Sequence, residues 1–107
     1  MVIYIAGKYR GDIDANIAAA RKVAIELWEM GHAVFCPHLN TQHFEVDCCV
    51  PEEAYICGDL EILKRCDGVV MLPGWRESEG ATQEYYAALR AGLSVWFHPS
   101  VPEEVEM

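Results

Sequence analysis

A chain of 107 residues, 52% apolar and 23% charged, is of single-domain size and can bury about two thirds of its unfolded surface around one core. That composition excludes an intrinsically disordered segment. Seventeen acidic against eight basic residues, a formal charge of −9, set up a field that repels a polyphosphate backbone and excludes nucleic-acid polymers as partners. Small anionic ligands stay open, because a local cluster of backbone N–H groups and a cation or two overrides the mean field.

The five cysteines, Cys36, Cys48, Cys49, Cys57 and Cys66, are odd in number and show no paired-spacing framework, so a reducing cytoplasm is expected. The opening MVIYIAG lacks the basic region, long apolar run and cleavage site of a signal peptide. No apolar run approaches the ~20 residues that span a bilayer, and no membrane partner is expected.

Val2 to Ala6 is a short β-branched apolar run stopped by Gly7, the pattern of a buried parallel strand. From Asp14 the period changes. Ile17, Ala20, Ala24, Leu27 and Trp28 recur at helical spacing, with Asp12 or Asp14 as N-cap and Gly31 as terminator, which predicts a helix of about five turns. HAVFCP gives a second strand ended by Pro37, and HLNTQHFEVDCCVPEE is loop-like. Pro51 opens a second helix with Tyr55, Ile56, Leu60 and Leu63 on its buried side.

DGVVMLP is a third buried strand, GATQEYYAALRAG a helix closed by Gly92, and SVWFHP a fourth strand. The acidic end SVPEEVEM is expected to fray. Strands alternating with helices imply right-handed crossovers. The expected architecture is therefore α/β, a single three-layer flavodoxin-like (Rossmann-like) domain over residues 1–107 with a parallel sheet of four to five strands. Ligands of such sheets bind where strand order reverses, beyond the carboxyl ends of the strands. In flavodoxin-like order that crevice falls between GKYRG and PGWRESEG, with PHLNTQH beside them.

The ordered set YIAGKYRG, GDLEILKRCDGVVMLPGW and SEGATQE resembles the nucleoside 2-deoxyribosyltransferase superfamily. That superfamily includes nucleoside 5′-monophosphate N-glycosidases and small phage and bacterial domains with a similar LPGW loop. The resemblance runs from about Val2 to Phe97. It implies cleavage of the N-glycosidic bond of a nucleoside or its 5′-monophosphate, with transfer to another base or to water, no cofactor and no metal. It also implies a homo-oligomer, dimer or higher, and three tryptophans in a short chain point the same way.

Carried over residue by residue, the resemblance makes Glu84 the nucleophile, six residues beyond Ser78 with Gly80 between them. Asp59, which begins DLEILKRCD, becomes the residue that touches the sugar hydroxyls and assists proton traffic. Tyr4 and Gly7 border the sugar, and His38 approaches the base. The chemistry agrees: a carboxylate at the anomeric carbon traps the oxocarbenium charge as a covalent glycosyl-enzyme. Proximity to a helix N-terminus favours the ionised form of Glu84 by ~0.3–1 kcal/mol. The leaving base needs a proton, from Asp59 or a water it holds.

Arg10, Ser78 and the N–H groups around Gly80 suit a 5′-phosphate. Lys8 stands where the hydrolases tend to carry a small hydroxyl residue; its ammonium could serve the phosphate or pair with a neighbouring carboxylate. Trp75 could stack on a nucleobase or pack in a subunit contact.

Blander readings stand beside these. Glu84 could be only a dipole-matched glutamate, Asp59 a cap or solvated residue, and Tyr4 a core aromatic. Asp67 reads as a structural turn residue. His38, His43, Asp47, Cys48 and Cys49 match no zinc spacing, and Cys36, Cys57 and Cys66 lie in apolar stretches where thiols are inert. A non-catalytic nucleotide-binding module of the same fold is the alternative to the enzyme.

Overall fold

The computed structural model describes residues 1–47 and 49–106. Four strands form one parallel sheet: β1 (Val2–Ala6), β2 (Ala33–Phe35), β3 (Gly68–Met71) and β4 (Ser94–Phe97), in the order β2-β1-β3-β4. The α/β flavodoxin-like architecture and the count of four strands follow the sequence expectation. In the centre Ile3 lies opposite Gly68 and Ala6 opposite Met71, and every residue of β3 is buried. A strand covered on both faces must be apolar throughout, which is why β1 and β3 read as unbroken apolar runs with β-branched centres.

Alternation sorts those residues into two cores. Ile3, Ile5, Val70 and Leu72 face α1 (Ile13–Glu29), meeting Ala20, Val23, Ala24 and Leu27. Tyr4, Ala6, Val69 and Met71 face the other side, covered by Leu63 of α4 (Glu52–Leu63) and by Ala81, Ala87 and Ala88 of α5 (Glu79–Arg90). Each fully buried Ile, Leu or Val contributes roughly 1.5–3 kcal/mol. The small alanines of α5 let that helix lie close to the sheet.

The ends of the elements follow local chemistry. Asp12 caps α1, its carboxylate accepting from the Ala15 N–H at 3.2 Å, and Gly31 beyond the helix takes φ 90°, a conformation glycine adopts without steric cost. Asp67 has the structural role expected of it: its carboxylate accepts the Val2 N–H at 2.8 Å. Gly7 lies so close to Leu72 that an added Cβ would come within 2.7 Å of its Cδ1, so the exits of β1 and β3 are in contact.

Two expectations are corrected. The stretch after β2 is not a continuous loop: it contains α2 (Pro37–Asn40) and α3 (Phe44–Asp47), with proline at the first position of α2, where its missing N–H costs nothing. The acidic C-terminal segment is also tied down. The Val105 N–H donates to Met30 O at 2.8 Å, the buried His32 ring donates through Nε2 to Glu103 O at 2.8 Å, and Val101 packs on the α1-side core. These partners lie 70 or so residues away along the chain, so local composition carries no sign of them.

Candidate active site

Strand order reverses between β1 and β3, and a cavity of about 520 Å³ opens there at their carboxyl ends. Its walls come from four segments: Gly7, Lys8, Tyr9 and Arg10 after β1; Pro37, His38, Thr41, Phe44 and Glu45 after β2; Glu52, Ile56 and Asp59 along α4; and Glu77 through Ala81 with Glu84 after β3. Of the residues expected to form the site, Gly7, Lys8, Arg10, His38, Asp59, Ser78, Gly80 and Glu84 all lie on this cavity.

Glu84 is the sixth residue of α5 and is 9% exposed. The Tyr4 hydroxyl donates to its Oε2. Burial pushes the Glu84 carboxyl up to about 8; the Tyr4 hydrogen bond opposes the rise and the charge of Asp59 adds to it. A helix dipole decays within its first turn and is worth at most ~1 kcal/mol, so at this depth desolvation wins and the carboxyl keeps its proton at neutral pH. The expectation that the helix N-terminus would hold Glu84 ionised is corrected on that point.

Asp59 lies half-buried on α4, and burial lifts its carboxyl to about 6. Burial, with the charges of Glu84 and Asp59, drives the Tyr4 phenol far above its usual range, so it remains a neutral donor. Tyr4 is fully buried and does not line the cavity. It lies behind Glu84 and holds the carboxyl, where the expectation had it bordering a sugar directly.

Ser78 caps α5, its Oγ accepting from the Ala81 N–H at 3.1 Å. A Cβ on Gly80 would find only Ser78 Oγ, at 3.9 Å, so the first turn of α5 presents open backbone to the cavity. Both cations at the mouth are paired, Lys8 to Glu77 at 3.3 Å and Arg10 to Glu52 at 3.5 Å. These exposed pairs are worth little and are readily exchanged for an arriving anion. His38 is 5% exposed and donates through Nε2 to Lys8 O at 2.9 Å. Burial lowers its pKa, so the ring is neutral and Nδ1 is left as an acceptor.

Trp75 is elsewhere. It does not line the cavity; its indole packs on Tyr85 (4.7 Å) and Phe97 (6.0 Å), with the Arg76 guanidinium 4.9 Å above. Stacking of Trp75 on a base is therefore set aside: the 3-10 turn Trp75–Glu77 swings the indole toward β4. Sequence reasoning missed Tyr9, Phe44 and Ile56 as wall residues. The one legible signal was Phe44, an aromatic in an otherwise polar stretch.

Cys57 is exposed and lies on the cavity, whereas Cys36 and Cys66 are buried with thiols pushed up by desolvation. Among the described residues no three His, Cys, Asp or Glu side chains group as metal ligands; Cys48 of the sequence cluster lies outside them. Likewise, no helix of the described residues is long and apolar enough to cross a membrane.

Residues 1–97 match a family described as Domain of unknown function (DUF4406). The chain belongs to that family. Among solved structures, this DUF4406 chain is similar to the 2-deoxyribosyltransferase from the psychrotolerant bacterium Bacillus psychrosaccharolyticus, with a TM-score of 0.72 and 25% identity over 91% of this chain and 71% of that one. It is also similar to the 2-desoxiribosyltransferase from Leishmania mexicana, with a TM-score of 0.67 and 16% identity over 90% of this chain and 62% of that one. The second likeness is one of fold alone, and the chain spans under two thirds of that enzyme. No curated protein matches. The first structure supports the superfamily resemblance carried by the sequence motifs, and the second supports the fold.

Proposed function

We propose that this DUF4406 domain cleaves the N-glycosidic bond of a nucleoside or nucleoside 5′-monophosphate, with Glu84 as nucleophile and water or a second base as acceptor. The observation that carries the reading is the carboxyl of Glu84 on the cavity, held by Tyr4 and raised by burial, with the charge of Asp59 adding to the rise. Likeness to two 2-deoxyribosyltransferase structures supports glycosyl transfer at the level of the superfamily.

A Glu84 oxygen attacks C1′ as the C1′–N bond breaks, and the bonding pair leaves on the base nitrogen, which takes a proton. A water or an acceptor base then attacks C1′, giving up a proton to the Asp59 carboxylate as the C1′–O bond to Glu84 breaks and releases the Glu84 carboxylate. Attack needs ionised Glu84, and the base needs an acid. With Glu84 near 8 and Asp59 near 6, the pair holds one proton between those pH values, mostly on Glu84. Moving it to Asp59 creates both groups at once and costs roughly 2–3 kcal/mol for two pK units, a small part of an enzymatic barrier. The open first turn of α5, with Lys8 and Arg10 released from their partners, would take a 5′-phosphate.

The test is a panel of ribo- and deoxyribonucleosides and their 5′-monophosphates, scored for free base by chromatography with and without an added acceptor base. Release that is lost in Glu84→Ala supports the reading. Nucleotide binding with no release from any substrate supports the non-catalytic module, and activity in Glu84→Ala within a few-fold of the parent assigns the wrong carboxylate.

A further inference from the structure

The α3 wall of the cavity is held by hydrogen bonds and not by packing. None of Phe44, Glu45, Val46 and Asp47 is buried; Val46 is 76% and Phe44 43% exposed. A four-residue helix has no stability of its own, so its position depends on what its polar groups reach.

They converge on one hydroxyl. The Tyr9 O–H lies 3.0 and 3.1 Å from the two oxygens of Glu45, to which it donates, and it accepts the His43 N–H at 2.8 Å. His43 has φ 61°, an uncommon conformation for a non-glycine residue, and its ring is held by Asp14 at 3.2 Å and Glu45 at 3.8 Å. The Tyr9 ring is itself fixed, edge-on to His38 at 5.5 Å with the Arg10 guanidinium 5.8 Å from its centroid. Phe44 lies on the cavity and has no aromatic partner among the described residues. Its ring, 43% exposed, is apolar surface left open on the cavity wall.

We propose that Tyr9 is a positioning residue: its hydroxyl sets the α3 wall so that Phe44 presents its ring to the flat base of the substrate. This rests on the reading of the cavity as a nucleoside site. Base-on-aromatic stacking is worth ~1–3 kcal/mol and is indifferent to which base is present. The position of Phe44 therefore governs affinity for all four bases and leaves the glycosidic step at Glu84 untouched.

The experiment compares the parent with Tyr9→Phe, Glu45→Ala, the double variant and Phe44→Ala. Hydrogen exchange of the 43–47 amides is measured alongside KM and kcat for each of the four 2′-deoxynucleosides and their 5′-monophosphates. Tyr9→Phe keeps the ring and loses only the hydroxyl. It is expected to raise α3 exchange about tenfold with α1 and α5 unchanged, and to raise KM about 5–10-fold with kcat within about twofold. Glu45→Ala should do part of the same, and the double variant should be no worse than Tyr9→Phe. Phe44→Ala should raise KM at least fivefold for every base.

Unchanged α3 exchange in Tyr9→Phe overturns the latch, and unchanged KM in Phe44→Ala overturns the platform. A loss confined to kcat overturns both. If the parent turns over nothing, the proposed function fails, while exchange still decides the latch, and dissociation constants for the same nucleosides decide the platform.

Discussion

Replacing Glu84 with Gln separates the electrostatics of the site from any assumption about its substrate. The carboxyl rises from 4.5 to about 8 on folding, chiefly through burial. At about 1.36 kcal/mol per unit, folding the ionised chain costs on the order of 5 kcal/mol more than folding it with this group neutral. Because the folded value is the higher one, the stabilisation is present in full below 4.5 and is lost as pH rises through about 8. Glutamine has nearly the shape of protonated glutamate and still accepts from the Tyr4 hydroxyl, but it never charges. The stability gap favouring Glu84→Gln should therefore widen by roughly 2–3 kcal/mol between pH 6 and pH 9 and level off above that. For a domain of this size that amounts to roughly 10–20 °C in Tm, read from thermal melts by circular dichroism at pH 6, 7.5 and 9. A gap that stays constant with pH, or a variant that melts below the parent at pH 9, would refute the buried, proton-holding carboxyl.

Two further outcomes follow from the same geometry. The parent's rate of base release should be bell-shaped in pH with limbs near 6 and 8. In Asp59→Asn the rate should fall roughly 10²–10⁴-fold, and the residual activity should rise monotonically, with its limb shifted below the parent's upper one, since the charge of Asp59 helps raise Glu84; an unshifted bell would remove Asp59 from the proton path. Gly7→Ala should cost roughly 1–3 kcal/mol in urea denaturation, because the new Cβ meets Leu72 Cδ1 at 2.7 Å and Cβ at 2.9 Å; Leu72→Ala in the same chain should recover part of it, and a neutral Gly7→Ala would show that the strand exits are looser than described.

What was legible in the sequence was whatever short-range chemistry decides. The runs through β1 and β3 are apolar because both faces are covered, and Asp12, Ser78 and Gly31 mark helix ends by side-chain and backbone rules that span a few residues. The reversal of strand order then brings Gly7, Asp59 and Glu84 to one cavity, as topology alone leads one to expect. Depth was not legible. Whether Glu84 is ionised depends on how much protein surrounds it, and the helix start that suggested a lowered pKa is outweighed by burial. The placement of Trp75 was not legible for a related reason: a single 3-10 turn chooses the side of the strand end on which an indole falls. The His32 to Glu103 and Tyr9 to Glu45 contacts join residues 71 and 36 positions apart that carry no mutual signal in one sequence.

The displaced tryptophan has a use of its own. Trp75 stands three residues before the cap of α5, and its indole rests on Tyr85, the neighbour of Glu84. Any tilt of the helix start that carries Glu84 alters that ring contact, and with it the quenching and polarity the indole senses. Trp28, 57% exposed on the far side of the sheet, and Trp96, half-buried in β4 on that same side, can each be replaced by Phe to clear the background. Intrinsic fluorescence then becomes a built-in gauge of the helix that carries Glu84, sensitive to its movement without any label and independent of any substrate.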